Sequence, residues 1–251
     1  MVMLQSAGED RIPLSIEVRL GVFFVFLFLV AIILDPKPVI LPPAEEVAFP
    51  LSSTEIIRGD TSKMNVIFTF DGGSKDISSR KILKVLEKYN MKTTFFLTGD
   101  FVLTYPEVVR EMKNAGHEIY NHTENHPYLT QATDREILLE LDGMDRALRG
   151  TIDQSSKPYF RPPYGDRNDR VLKIAYGAGY QSVGWTVDAL DWQESEGRTV
   201  DEVRSIILNS LAPGNIYLLH LGDSISGDLL EELINETEKR GYKIVSLKQG
   251  L

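Results

Sequence analysis

From Met64 onward the chain alternates short apolar runs with amphipathic stretches. Met64–Phe70 (MNVIFTF) is rich in β-branched and aromatic residues and predicts a buried strand. Ile82, Leu83, Val85, Leu86 and Tyr89 then recur with the period of a helix over about Asp76–Tyr89. Thr93–Leu97 predicts a second strand, and Pro106 opens a helix that stops at Gly116. The alternation continues with strands His117–Asn121, Tyr159–Arg161, Ser182–Val187, Ile216–His220 and Lys243–Leu247. Between them fall helical patterns at Asp134–Leu148, Arg170–Tyr176, Val200–Leu211 and Leu229–Arg240. Seven strand–helix steps predict an α/β fold, with a parallel sheet that is either open or closed into a barrel. In both, chemistry collects at the carboxyl ends of the strands.

The N-terminus follows a different pattern. Leu20–Leu34 (LGVFFVFLFLVAIIL) has no charged or strongly polar residue. As a helix it would be roughly 22 Å long, short of the ~30 Å hydrocarbon core unless flanking residues snorkel or the bilayer thins. That length also suits the apolar region of a secretory signal. No small-x-small triplet follows it, which favours a retained signal anchor over a cleaved leader. Phenylalanine and valine cover every face, leaving no amphipathic stripe of a core helix. Arg11 and Arg19 precede the run and only Lys37 closely follows, a bias that puts the rest of the chain outside. The expected organisation is a cytoplasmic segment 1–19, a transmembrane anchor 20–34, a proline-rich extracytoplasmic spacer 35–61 and a folded domain 62–251. The expected location is the cell membrane, single-pass, with secretion after signal cleavage as the alternative.

Composition narrows the chemistry. The chain has 27 basic and 36 acidic residues and a net charge of −9, which disfavours nucleic acid as a partner. It has no cysteine, so disulfides, thiol nucleophiles and cysteine-ligated zinc are excluded. Of its 4 histidines, His117, His122 and His126 cluster and His220 stands apart. His122 and His126, in N-H-T-E-N-H-P, are spaced so that one helical turn would present both rings to a shared metal. His117 reads as structural. Asn121-His122-Thr123 matches a glycosylation sequon by chance.

Asp71 in T-F-D-G-G could be a simple turn aspartate. The Gly72-Gly73 pair lacks the length and the lysine of a phosphate loop. Arg161 precedes Pro162-Pro163, which would hold it in place. Asp188, Asp191 and Trp192 (VDALDW) could be a turn with a core tryptophan, and His220 a satisfied core histidine. Each has a plain structural explanation alone. Together, Asp71, His122, Arg161, Asp188 and His220 each end or follow a predicted strand, and so gather on one face.

With these motifs in order, TFDGG (69–73), HTENH (122–126), RPPYG (161–165), DALDW (188–192) and LLH (218–220), the chain resembles the polysaccharide deacetylases with the NodB-homology domain, carbohydrate esterase family 4. The resemblance spans roughly Lys63–Leu247. It implies a distorted (β/α) barrel with about seven strands and a hydrolase removing acetyl groups from a cell-wall or related polysaccharide. One divalent metal, zinc by preference, would be held by His122 and His126. Asp71 would be the general base, oriented by Arg161, and His220 the general acid, supported by Asp191. Pro163 and Tyr164 would contact substrate, the Tyr164 backbone holding the oxyanion, while Trp192 and Leu218 line the acetyl pocket.

One departure stands out. The family pattern is usually T-F-D-D-G, whose second aspartate is the third metal ligand, and this chain has Gly72 there. The metal would lose a ligand, recruit water, take Asp71 itself or borrow Asp76. Two alternatives to a de-N-acetylase follow: a glycan-binding module that has lost catalysis, and an O-acetyl esterase acting on a polysaccharide.

Overall fold

The computed structural model describes residues 55–251. The expected cytoplasmic segment, the apolar run 20–34 and most of the spacer lie outside the described residues. Among the described residues no helix is long and apolar enough to cross a membrane.

The strands are β1 (Asn65–Gly72), β2 (Thr94–Leu97), β3 (Glu118–Asn121), β4 (Tyr159–Phe160), β5 (Gln181–Ser182), β6 (Val187–Asp188), β7 (Ile216–His220) and β8 (Lys243–Val245). Every pairing among them is parallel, in the order β5-β4-β3-β2-β1-β7-β6, and β8 takes the N-terminal half of β1. Parallel neighbours need crossovers. These are α1 (Ser79–Lys88), α2 (Gly99–Thr104), α3 (Pro106–Asn114), α4 (Asp134–Ile152), α5 (Asp169–Gly177), α6 (Val200–Asn209) and α7 (Ile225–Lys239), with α8 (Leu247–Gly250) closing the chain. Local signals start several of them. Thr133 with Glu136 and Thr199 with Glu202 form reciprocal caps on α4 and α6, and Pro106 opens α3. The result is a parallel half-barrel.

The strand period decides which side chains reach the interior. On β1, Val66, Phe68 and Phe70 join the apolar layer under the helices, while Ile67 belongs to the inner cluster with Phe96, Tyr120 and Ile216. Thr69 and Asp71 continue that inward row. The same alternation puts Tyr217 and Leu219 of β7 in the outer layer, with Leu218 and His220 facing in.

The folded domain also departs from expectation. Ser182–Val187, expected as one strand, is two: β5 pairs with β4 and β6 with β7. These lie at opposite ends of the sheet order, so one short stretch serves both edges and must bend between them. The expected spacer gives way to paired backbone by Ile56 rather than Ser62. Ile56 N donates to Ser182 O at 2.8 Å and Gly59 N to Gly214 O at 2.8 Å. Gly59 is required there, because a Cβ would stand 2.4 Å from the Gly250 carbonyl oxygen. α2 shows no apolar period because it is only 6 residues long; Thr98 starts it by accepting from Phe101 N at 3.0 Å.

Candidate active site

At the carboxyl ends of the strands lies a cavity of about 660 Å³. Its floor is set by sheet register: Asp71 on β1 pairs directly with His220 on β7. Arg161, wholly buried just past β4, lies beneath Asp71 and donates from Nη1 to Asp71 Oδ1 at 2.6 Å and to Thr69 Oγ1 at 2.9 Å. Its Nε and Nη2 donate to the carbonyls of Val183 and Gly184, each at 3.2 Å, and its plane lies 4.1 Å over the Phe96 ring. Burial pulls the guanidinium's pKa down while the Asp71 charge pulls it back. Removing either partner would leave the other charge buried and uncompensated.

On the other side, Asp191 is wholly buried and its carboxylate binds His220 twice. Oδ1 accepts from the ring Nδ1 at 2.8 Å and Oδ2 from the backbone N at 2.7 Å. The Ser226 hydroxyl also donates to Oδ2. Burial pushes the Asp191 carboxyl up, but its bonds and charge pairing with His220 outweigh that and hold it below the usual range. For His220, burial disfavours the charged ring, yet Asp191, helped by Asp71 and Asp188, lifts it to about 9. Asp223 is buried beside Asp191, and burial and that neighbouring charge push its carboxyl up.

His122 and His126 do meet, but not on a helical turn. The loop 122–126 carries Thr123 and His126 in left-handed backbone conformations, with φ of 68° and 61°. This folds the two rings face to edge, with Nε2 atoms 3.1 Å apart. His122 Nδ1 lies 2.9 Å from the Arg161 carbonyl, which can only accept, so Nδ1 carries the proton and Nε2 keeps its lone pair. Burial lowers the pKa of both rings, His126 to about 4. His117 is away from this pair: its Nδ1 accepts from Thr93 N at 3.2 Å and its ring packs on Phe95. It is a structural residue despite its nearness in sequence to the pair.

Tyr164, Trp192 and Leu218 line the cavity; both prolines are buried, and it is Pro162 rather than Pro163 that lines the wall. The turn places the first proline, not the second, at the opening. Tyr164 itself has φ of 57°, and the turn's own bonds run from Gly165 N to Pro162 O and from Asp166 N to Pro163 O, bypassing the Tyr164 amide. Several contributors were not singled out from sequence. Thr69 was legible in principle, two residues before Asp71 on the same strand face. Ser226 and Asp223 lie just past the LLH motif, and Trp185, which lines the cavity, just before DALDW, but none belongs to a motif.

The polysaccharide deacetylase family model matches residues 58–183. The chain belongs to this family. It is 33% identical to the peptidoglycan-N-acetylmuramic acid deacetylase PdaA of Bacillus subtilis (strain 168), over 75% of this chain and 72% of that one. The solved structure of PdaA, a family 4 carbohydrate esterase, matches with a TM-score of 0.75 over 79% of this chain and 85% of that chain. A chitooligosaccharide deacetylase of Bradyrhizobium sp. (strain ANU 289) is 34% identical, covering 80% of this chain and 97% of its own. A carbohydrate esterase family 4 pseudoenzyme from Bacillus anthracis is also similar, with a TM-score of 0.74 and 28% identity over 80% of this chain and 69% of that one.

Polysaccharide deacetylases of this family are generally metal-dependent, and the donor set here can be compared with that requirement. The Nε2 atoms of the two imidazoles converge, and Asp71 Oδ2 lies 3.5 Å from His122 Nε2. Two ligand positions therefore fit. Among the described residues no group of three or more His, Cys, Asp or Glu is placed to hold a metal ion. Asp76 does not fill the gap: its Oδ1 accepts from Ser79 N at 3.2 Å and starts α1. Gly72 is no truncated ligand either. It follows Asp71 on the strand and so faces the opposite side, where a Cβ would stand 2.6 Å from Leu97 Cδ2 and 3.0 Å from Leu221 Cδ1.

Proposed function

We propose that this deacetylase-family protein removes N-acetyl groups from an extracellular polysaccharide, either peptidoglycan or a related N-acetylglucosamine polymer. The observation that carries the reading is the register pairing of Asp71 with His220 at one cavity, each locked by its own buried partner. With Oδ1 engaged by Arg161, Asp71 has Oδ2 free to take a proton from the attacking water. His220, kept protonated through neutral pH by Asp191, is the acid for the amide nitrogen, which leaves poorly without a proton. The Tyr164 amide is a donor for the oxyanion, and Leu218 and Trp192 flank the acetyl group. A divalent ion, zinc in this reading, fits His122 and His126 and would supply Lewis-acid polarisation of the acetyl carbonyl when bound. The apolar run at 20–34 supports a membrane-anchored enzyme whose domain works outside the cytoplasmic membrane.

The test is acetate release by the full-length protein from peptidoglycan, N-acetylglucosamine oligomers and an O-acetylated polysaccharide, with added zinc and again with chelator. Zinc-dependent release from the first two, abolished by Asp71→Asn, is the expected result; release from the ester alone would make it an esterase. The similarity to a pseudoenzyme, with two rather than three ligating groups brought together among the described residues, favours a second reading, a glycan-binding module. Binding of these glycans without any acetate release would establish it in place of the first.

A further inference from the structure

Two tyrosines stand open to solvent beside the cavity, and both are held in place. Tyr164 is 57% and Tyr128 50% exposed, yet their rings stack at 4.2 Å with planes 15° apart. The Tyr164 ring also meets the His126 ring at 4.4 Å. Tyr164 lines the cavity, while Tyr128 lies beyond its lining. The three rings form a continuous aromatic wall leading out of the site.

The backbone under Tyr128 is fastened down. Leu129 is wholly buried, and Thr130 donates to Asp166 from its N at 2.7 Å and from its Oγ1 at 2.8 Å. Arg170 Nη2 reaches the carbonyls of Thr130 and Ala132 at 3.1 and 2.9 Å. These bonds tie the loop after His126 to the loop after Tyr164, so little conformational freedom is left to lose when a ligand settles on the rings. Stacked this closely the two tyrosines cover each other's facing sides, which leaves the outer face of Tyr128, half exposed and backed by Tyr164, suited to the C–H face of a pyranose.

We propose that Tyr128 and Tyr164 form a sugar-stacking subsite for the glycan residue next to the one in the cavity. The proposal rests on the polysaccharide deacetylase reading: a polymer with one residue in the cavity must leave it along a wall, and this wall is continuous with His126. Tyr128 is then a specificity residue that grips longer chains.

The experiment compares full-length wild type, Tyr128→Ala and Tyr128→Trp on N-acetylglucosamine oligomers and peptidoglycan fragments of defined length. In Tyr128→Ala, KM should rise by roughly fivefold for the longest chains and progressively less for shorter ones, with kcat held, and Tyr128→Trp should restore it. An equal loss at every length, falling on kcat, would overturn the proposal, because Tyr128 would then only brace Tyr164. No change at any length would also overturn it. Calorimetric binding of a long oligomer to wild type and Tyr128→Ala decides the point separately from catalysis. If the wild type releases no acetate, the deacetylase reading fails, while weaker binding by Tyr128→Ala still supports the subsite and equal binding rejects it.

Discussion

Replacing Asp191 by asparagine removes a buried charge while keeping an oxygen that can accept from His220 Nδ1. In the native protein that carboxylate accepts two bonds from His220, one from Ser226 and one from the Trp192 N–H, and lifts the imidazole from its ordinary 6.5 to about 9. At ~1.4 kcal/mol per pKa unit the lift is about 3 kcal/mol in favour of the charged ring. Burial opposes it, so without the carboxylate His220 should titrate below 6.5. The folded pKa lies above the unfolded one. The stability from this pairing is therefore fully present below about pH 6.5 and is lost as pH rises through about 9. In Asp191→Asn that decline should vanish, and the alkaline limb of the kcat profile should move down by about two pH units or more. NMR titration of the imidazoles gives the direct reading, since the chain has 4 histidines to assign. A His220 resonance still titrating near pH 9 in the variant would refute the assignment of the shift to Asp191.

Three further outcomes follow from the same contacts. Arg161→Met should cost about 3–5 kcal/mol in a denaturant titration, because Asp71 would be left charged, buried and short of its main partner. Gly72→Asp should lower Tm by the equivalent of about 3 kcal/mol or more and leave zinc affinity unimproved, since position 72 faces Leu97 and Leu221 rather than the histidines; calorimetry that finds tighter zinc binding at unchanged Tm would contradict this. Asp223→Asn should stabilise the protein at pH 8 by on the order of 1 kcal/mol and have little effect at pH 4. The reason is that a carboxyl whose pKa is raised by burial and Asp191 makes folding weaken as pH rises through its unfolded value of 3.8, and the amide lacks that dependence.

Much of the fold was legible in one dimension. Alternating apolar runs and amphipathic stretches identified the strand–helix repeat, and the strand ends named Asp71, His122, Arg161 and His220 as neighbours. That inference works because a parallel sheet sends every strand's carboxyl end to the same face. Errors fell where pairing or loop conformation overrides the local pattern. The 182–187 run reads as a single strand because its residues suit extended backbone anywhere, and only the partners at β4 and β7 split it. The pairing of Ile56–Asp60 with distant carbonyls has no local signature at all.

The site divides the same way. Residue type and order put carboxylates, imidazoles and an arginine at the strand ends, and the ordered motifs carried the resemblance that implies base, acid and ligand roles for them. Tertiary structure decided how they are used. Register set Asp71 opposite His220, left-handed backbone at Thr123 and His126 turned two imidazoles together, and strand alternation aimed Gly72 into the apolar layer. The stacking of Tyr128 on Tyr164 likewise joins residues 36 positions apart in sequence, tied by hydrogen bonds over the same separation. Facing and contact depend on segments remote in the chain, and a linear pattern carries no information about which of them will meet.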